Sequence, residues 1–424
     1  VEDAMIDPDS LNIWNDQRLV GYLWRNSQGL MGFRYDSTWL AQGGFAISHT
    51  LPLREEDFNP EQSLAHRFFA NLLPEGNVRE QVVRDLKIAN TDFDLLRAIG
   101  GECAGALSIL QAEQVPSKEY EYYKIPDDDL ANLVARKGRI QTWTANERPR
   151  LSLAGAQDKC PVLVDNDTYF LPKQESPSSH ILKFELSGYR HLPAYETFTT
   201  HLAAAIGLPV VNIHLRSVAQ THYALIERYD RRKDKNGRME KFHQEDFCQA
   251  LGFGHERKYQ EHGGPSFADC YRLIQDVSSD PANDLLHLLR WQIFNVLAGN
   301  SDGHAKNLSL LYQPNGEIRL APFYDLVCTR AIERIDHRLA FSVGDERDPG
   351  IILSQHWAQL AQQCGIRPRF LHQQVQNIAD KLLQQLQSTQ ETFTNEYGNY
   401  PALQRIELYV AKQCRKAISD KTEV

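Results

Sequence analysis

In the segment NSDGHAKN, residues 300–307, Asp302 is followed five residues later by Asn307, and a second carboxylate, Asp325, closes the segment FYD at 323–325. Between them lie an apolar run at 308–312, a Pro314-Asn315-Gly316 turn and a second run at 318–321. That order predicts a β-hairpin. A hairpin carries the chain out and back, so Asp325 is expected beside Asn307. Three oxygen-donor side chains would then converge as hard cations and phosphates favour. A polar turn with capping residues explains Asp302 alone, but not all three together.

The spacing D-x-x-x-x-N is that of a protein-kinase catalytic loop, where the Asp accepts the substrate proton, the Asn holds Mg²⁺ and a later Asp completes the metal site. Such chemistry also needs cations for the phosphates. At 150–159 the chain reads RLSLAGAQDK. The small residues Ala154, Gly155 and Ala156 allow close backbone approach, and successive N–H groups in such a turn can cradle phosphate oxygens. Lys159 adds a charge. The segment is neither a Walker A loop nor a G-x-G-x-x-G, and on its own it is a plain turn between strands. The run HILKFE at 180–185 reads as a strand with Lys183 facing away from its apolar neighbours. Kinases present an ammonium to the α/β-phosphates from such a strand. A helix at 194–206 carries Glu196 in its first turn, where it could pair with that lysine or complement the helix dipole. The apolar strand at 223–230, which turns charged at its end, takes the place of the link whose backbone groups bond adenine in a kinase-like plan.

Other elements must hold these residues in place. Strand-like runs at 19–24, 30–35 and 45–48, separated by turns, predict a small antiparallel sheet. Helical spacing follows at 64–73, stopping at Pro74-Glu75-Gly76, then at 78–86 and 92–99. Residues 111–150 read as a connector with a helix at 127–136. The charged run at 231–238 is a solvated hairpin tip turning at Asn236-Gly237, and 244–251 opens a helical region. A strongly apolar helix at 285–297 leads into Asn300 and is expected to be buried. Helices fill 354–416, divided at Pro368 and at 398–401.

A chain of 424 residues accommodates two or three domains. With 42% hydrophobic and 24% charged residues, it has the makings of a soluble globular protein with a sizeable core. A net charge of −9 argues against whole-surface attraction to nucleic acid or anionic membrane. The seven cysteines are scattered and form no C-x-x-C pair, so neither a zinc site nor a disulfide framework is indicated. Reduced core cysteines and a cytoplasmic location are expected. No apolar run reaches membrane-spanning length, and VEDAMIDPDS lacks the features of a signal peptide.

Taken together, LLPEG (72–76), GAL (105–107), SLAGAQDK (152–159), ILKF (181–184), IERYDR (226–231), HQEDF (243–247), NSDGHAKN (300–307) and FYD (323–325) resemble the HipA family of bacterial serine/threonine kinase toxins. The motifs fall in the family's order and span nearly the whole chain. The resemblance implies an α+β, bilobal protein-kinase-like fold with a mainly helical C-lobe. Expected domains are 1–110, an N-terminal subdomain; 111–229, a kinase N-lobe; and 230–424, the C-lobe. It implies ATP and Mg²⁺ as cofactors. Asp302 would be the catalytic base, and Asn307 and Asp325 the metal ligands. Lys183 would contact the phosphates; Ala154, Gly155, Ala156, Gln157, Asp158 and Lys159 would form the phosphate loop. Glu227, Arg228 and Tyr229 would be the adenine link, and His304, Ala305, Lys306 and Tyr324 would line the site. Ser152 corresponds to the serine the family autophosphorylates. The implied partners are a HipB-like helix-turn-helix antitoxin, operator DNA mainly through that antitoxin, and a translation-related protein substrate such as an aminoacyl-tRNA synthetase. Growth arrest, persistence and co-repression of the operon follow from the same resemblance. A small-molecule or lipid kinase, or a non-catalytic kinase-like subunit of a DNA complex, are the rival readings.

Overall fold

Strands Met31–Tyr35, Arg18–Arg25, Leu11–Asn15 and Leu107–Gln111 lie side by side in that order, each pair antiparallel. The computed structural model describes residues 10–138, 155, 157–186 and 188–420. Its contacts divide the chain into one unit of Val1–Lys183, Arg228–His255 and Leu311–Gly316, and another of Phe184–Glu227, Glu256–Leu310 and Glu317–Val424.

In the first unit, residues from all four strands, among them Leu11, Ile13, Val20, Leu23, Phe33 and Ile109, are buried in one core. They share it with Phe68 and Phe69 of the helix Leu64–Ala70 and with Phe93 and Leu96 of Asp92–Ile99. The expected strand at 45–48 does not form; Ser48 makes only an isolated bridge to Leu51. Side chains take up its backbone groups instead. Trp39 Nε1 donates to Phe45 O at 3.0 Å, Ile47 N donates to Tyr35 Oη at 2.9 Å, and Ile47 O lies 2.7 Å from His243 Nε2. With its polar groups satisfied this way, the segment has no need of a ladder. The strands beside Arg18–Arg25 and beyond come from Leu11–Asn15 and Leu107–Gln111, which sequence patterning did not single out.

The same unit contains strands Tyr122–Lys124, Thr168–Pro172, Lys159–Asp165 and His180–Lys183, neighbours in that order. Their register sets Lys159 directly opposite Lys183. The connector helix runs Asp127–Ala135. The charged run at 231–238 is a hairpin, Arg231–Lys233 against Met239–Lys241, closed by Gly237 N donating to Asp234 O at 3.0 Å. Arg231 is not part of a solvated tip, however; it is buried. The region expected to open a helix at 244 begins as the strand His243–Asp246, and only Phe247–Ala250 is helical. Asp246 and Gln249 form a capping box that starts the helix there.

The second unit is mainly helical. The helix Pro368–Tyr397 presents Leu371, Val375, Ile378, Leu382, Leu386 and Phe393 on one buried face and packs against Leu403–Ser419, Leu192–Ala205 and Pro281–Ala298. Pro368 sits in its first turn, where the missing N–H costs nothing. Strands Ile213–Val218 and Thr221–Glu227 form an antiparallel pair. The helix expected at 194–206 begins earlier, at Leu192 with Pro193 in its first turn. Glu196 therefore lies one turn inside and is buried, which weakens the dipole explanation for it. Among the described residues no helix is long and apolar enough to cross a membrane. All seven cysteines are buried and free.

Glu245 is fully buried in the first unit. Its carboxylate accepts from Ser48 Oγ at 2.6 Å, His49 N at 2.9 Å and the Tyr312 hydroxyl. Burial outweighs these bonds and raises the carboxyl to about 7, from the 4.5 of a free side chain. Because the folded value lies above the unfolded one, the folded chain holds the extra proton between them. This group's stabilisation is present below the lower value and is lost as pH rises through the upper. Chemical denaturation at about pH 5 and about pH 8 should show that Glu245→Gln flattens the decline in stability across that window.

Candidate active site

The helix Pro281–Ala298 stops at Gly299, whose φ of +73° lets the chain reverse. Asn300 then folds back on the helix: its N–H donates to Asn295 O at 2.9 Å and its Nδ2 to Asn295 Oδ1 at 3.0 Å. Ser301 is held from the other side, its N–H 3.1 Å and its Oγ 2.7 Å from Thr329 Oγ1. A Cβ on Gly303 would lie 2.6 Å from Asn295 Nδ2 and 3.3 Å from Trp291, so only glycine passes there. The Asp302 carbonyl accepts from His304 N and from Asn307 Nδ2, both at 2.9 Å. Its carboxylate remains exposed. The Asp and Asn of the motif are thus joined directly, through the single turn Ala305–Asn307.

Strands Ser309–Tyr312 and Ile318–Leu320 and a turn at Gly316, with φ +84°, make the expected hairpin. Ala321 N reaches Ser309 O at 2.8 Å. Phe323 is fixed on its other edge by Val211 N at 3.0 Å and Pro209 O at 2.8 Å, and Trp291 stacks on its ring. Tyr324 Oη, 2.8 Å from both Lys306 O and Ser309 Oγ, returns the chain to the residue beside Asn307. Asp325 follows with φ +56°, a left-handed conformation that costs a non-glycine residue energy. The fixed backbone before it supports that cost. His304, Ala305 and Lys306 are buried, and His304 packs edge-on against the ring of Tyr259.

The donor set suits a hard cation. The Nδ2 of Asn307 is committed to the Asp302 carbonyl, so its amide oxygen would be the ligand end, and Asp325 would add carboxylate oxygens.

The cationic residues belong to the first unit. Residues directly opposite in an antiparallel pair project from the same face, so Lys159 and Lys183 are cross-strand neighbours. The Lys159 ammonium lies where a Cβ on Gly155 would be 2.9 Å away. Gly155 itself bridges Pro74, and its carbonyl accepts from Glu75 N at 3.1 Å. The LLPEG turn, which reads as a plain helix end, thus docks on Gly155. Gln157 and Asp158 are half-buried. Ser152, Ala154 and Ala156 lie outside the described residues.

In the link, Glu227 is exposed and donates its N–H to Asn212 O at 2.9 Å. Arg228 N donates to Ser179 O at 2.9 Å, and the Tyr229 hydroxyl bonds to Gln244. The Arg228 guanidinium is buried in an ion cluster, 2.9 Å from Glu102 and 2.7 Å from Asp230, and Arg231 pairs with the same two carboxylates. Burial alone would raise both carboxyls, but the two guanidiniums outweigh it. Asp230 is held at about 2 and Glu102 below its usual range. Arg228 therefore anchors the link with its side chain.

Tyr259 went unnoticed in the sequence. Its hydroxyl donates to Asp302 Oδ1 at 2.5 Å. The paired Gly263-Gly264 that follows was the available signal of a tight turn.

Comparison with known proteins bears on the family and the fold. Residues 11–110 match the HipA N-terminal domain and residues 151–389 the HipA-like C-terminal domain. Y4mE of Sinorhizobium fredii is 36% identical over 380 residues, covering 87% of this chain and 89% of that one. The serine/threonine-protein kinase toxin HipA of Shewanella oneidensis is 30% identical over 370 residues, 82% of each chain. A solved structure of the Shewanella oneidensis toxin–antitoxin system, holding HipA, HipB and operator DNA, matches with a TM-score of 0.82 at 25% identity over 96% of both chains. The chain has the α+β, kinase-like fold of HipA. It belongs to the HipA family of kinase toxins.

The ion cluster has a measurable consequence. Arg228→Met would leave Glu102 and Asp230 sharing one guanidinium in a fully buried site, and should cost about 3–5 kcal/mol in urea unfolding.

Proposed function

We propose that the protein is an ATP-dependent serine/threonine protein kinase, the toxin of a toxin–antitoxin pair. The observation that carries this is the Asp302–Asn307 unit: the asparagine holds the aspartate's carbonyl, while the carboxylate faces solvent and the amide oxygen is left for a cation. Phosphoryl transfer needs alignment and charge neutralisation more than covalent chemistry, and the residues divide that work. Asp302 orients the acceptor hydroxyl and takes its proton as the oxygen attacks the γ-phosphorus and ADP leaves. Lys183 and Lys159 neutralise phosphate charge, with Ala154, Gly155, Ala156, Gln157 and Asp158 as the phosphate loop. Asn307 and Asp325 would hold Mg²⁺, which when bound supplies positive charge at the phosphates. Glu227, Arg228 and Tyr229 form the adenine link, and His304, Ala305, Lys306 and Tyr324 line the site.

The opposed lysines add support. Lys159 and Lys183 stand directly opposite on neighbouring strands, and two cationic side chains on one face attract an anion. A polyphosphate is such an anion.

The Shewanella relative was solved with HipB and operator DNA, which supports a HipB-like helix-turn-helix antitoxin as partner here. With a net charge of −9 on this chain, the antitoxin would supply most DNA phosphate contacts in a co-repressing complex. The protein substrate is a translation-related Ser/Thr protein, such as an aminoacyl-tRNA synthetase, and its phosphorylation would arrest growth. Ser152 is the proposed autophosphorylation site. A phosphate there adds about −1.5 to −2 charge beside a loop meant for another anion, so it should block ATP.

Asp302→Ala should keep the melting temperature yet lose about a hundredfold or more of phosphate transfer from radiolabelled ATP; retained turnover refutes the assignment. ATP titration should show tight binding by Ser152→Ala and weak binding by chain phosphorylated at Ser152. Equal affinities would exclude the block.

A further inference from the structure

Tyr259 lies in a segment built to hold it still. Its carbonyl accepts from His262 N and Gly264 N, both at 3.1 Å. A Cβ on Gly264 would sit 2.0 Å from Arg257 O, so the turn closes only with glycine. The next two residues are clamped as well. Ser342 N donates to Gln260 Oε1 at 3.0 Å, Gln260 Nε2 donates back to Ser342 Oγ at 3.0 Å, and Glu261 pairs with Arg347 and, at 3.7 Å, with Arg338. The stretch 336–347 that receives these contacts also binds the residue before Asp302. Ala340 N donates to Ser301 O at 3.0 Å, and Ser301 Oγ donates to Asp336 O at 3.2 Å. One piece of backbone therefore fixes both ends of the bond from the Tyr259 hydroxyl to Asp302 Oδ1.

We propose that Tyr259 is a positioning residue for phosphoryl transfer, an inference that rests on the kinase reading above. An exposed carboxylate in water can rotate and be solvated at both oxygens. The Tyr259 hydroxyl occupies Oδ1 and sets the rotamer, leaving Oδ2 as the oxygen that meets the acceptor. The proton of the acceptor hydroxyl passes to Oδ2 as its oxygen bonds the γ-phosphorus and the bond to the ADP oxygen breaks. Tyr259 keeps its own proton throughout. His304, edge-on to the tyrosine ring at 5.1 Å, limits its tilt.

The test uses the full chain, unsubstituted and as Tyr259→Phe, with [γ-³²P]ATP and incorporation into the chain itself as the readout. Removing only the hydroxyl should slow incorporation at saturating ATP about tenfold to a hundredfold, the scale of a misplaced reacting group. ATP affinity and melting temperature should stay unchanged, which a packing role would not allow. An unchanged rate overturns the proposal. A faster rate also overturns it, because the tyrosine would then be competing with the acceptor for the base. A slower rate with weakened ATP binding or a lowered melting temperature assigns Tyr259 to packing and overturns it too. No incorporation by the unsubstituted chain refutes the kinase reading itself, and this inference falls with it.

Discussion

The buried quartet of Glu102, Arg228, Asp230 and Arg231 is the interaction on which the first unit depends. Taking such charges out of water costs several kcal/mol each, and only their mutual geometry and the surrounding hydrogen bonds offset that. Glu102 also accepts from Ser178 N and Oγ at 2.9 Å, and Asp230 from Gly105 N at 2.8 Å. Segments far apart in sequence are thereby forced to meet: the turn at 102–105, the entry to the strand that ends on Lys183, and the link at 228–231. Breaking any one of these pairs would leave an uncompensated charge in a buried site.

The second unit solves a different problem, that of holding a short polar loop rigid without burying the Asp302 carboxylate. The positive φ at Gly299 reverses the chain, Asn295 and Thr329 grip Asn300 and Ser301, and Gly303 is small enough to pass the helix. The hairpin brings Tyr324 onto the backbone of Lys306. Strain then appears where a ligand would be held, at the left-handed Asp325. Such strain persists because Phe323 is pinned on both sides.

Periodicity and punctuation determined much of this protein from the sequence alone. The helices at 92–99 and 285–297, the hairpin at Pro314-Asn315-Gly316 and the helices divided at Pro368 are local structures, written in apolar spacing and turn residues. The D-x-x-x-x-N spacing is equally local, because a single turn joins Asp302 to Asn307. Only the tertiary structure decided what depends on distant partners. Ile47 could be read as a strand until Tyr35 and His243 were seen to take its backbone groups, and Arg231 as solvated until Glu102 and Asp230 were found beside it. Tyr259 carried no signal of function, since its role exists only where its hydroxyl meets Asp302. Hydrogen bonds and ion pairs between residues far apart in the chain leave no period in the sequence, and those contacts built the site.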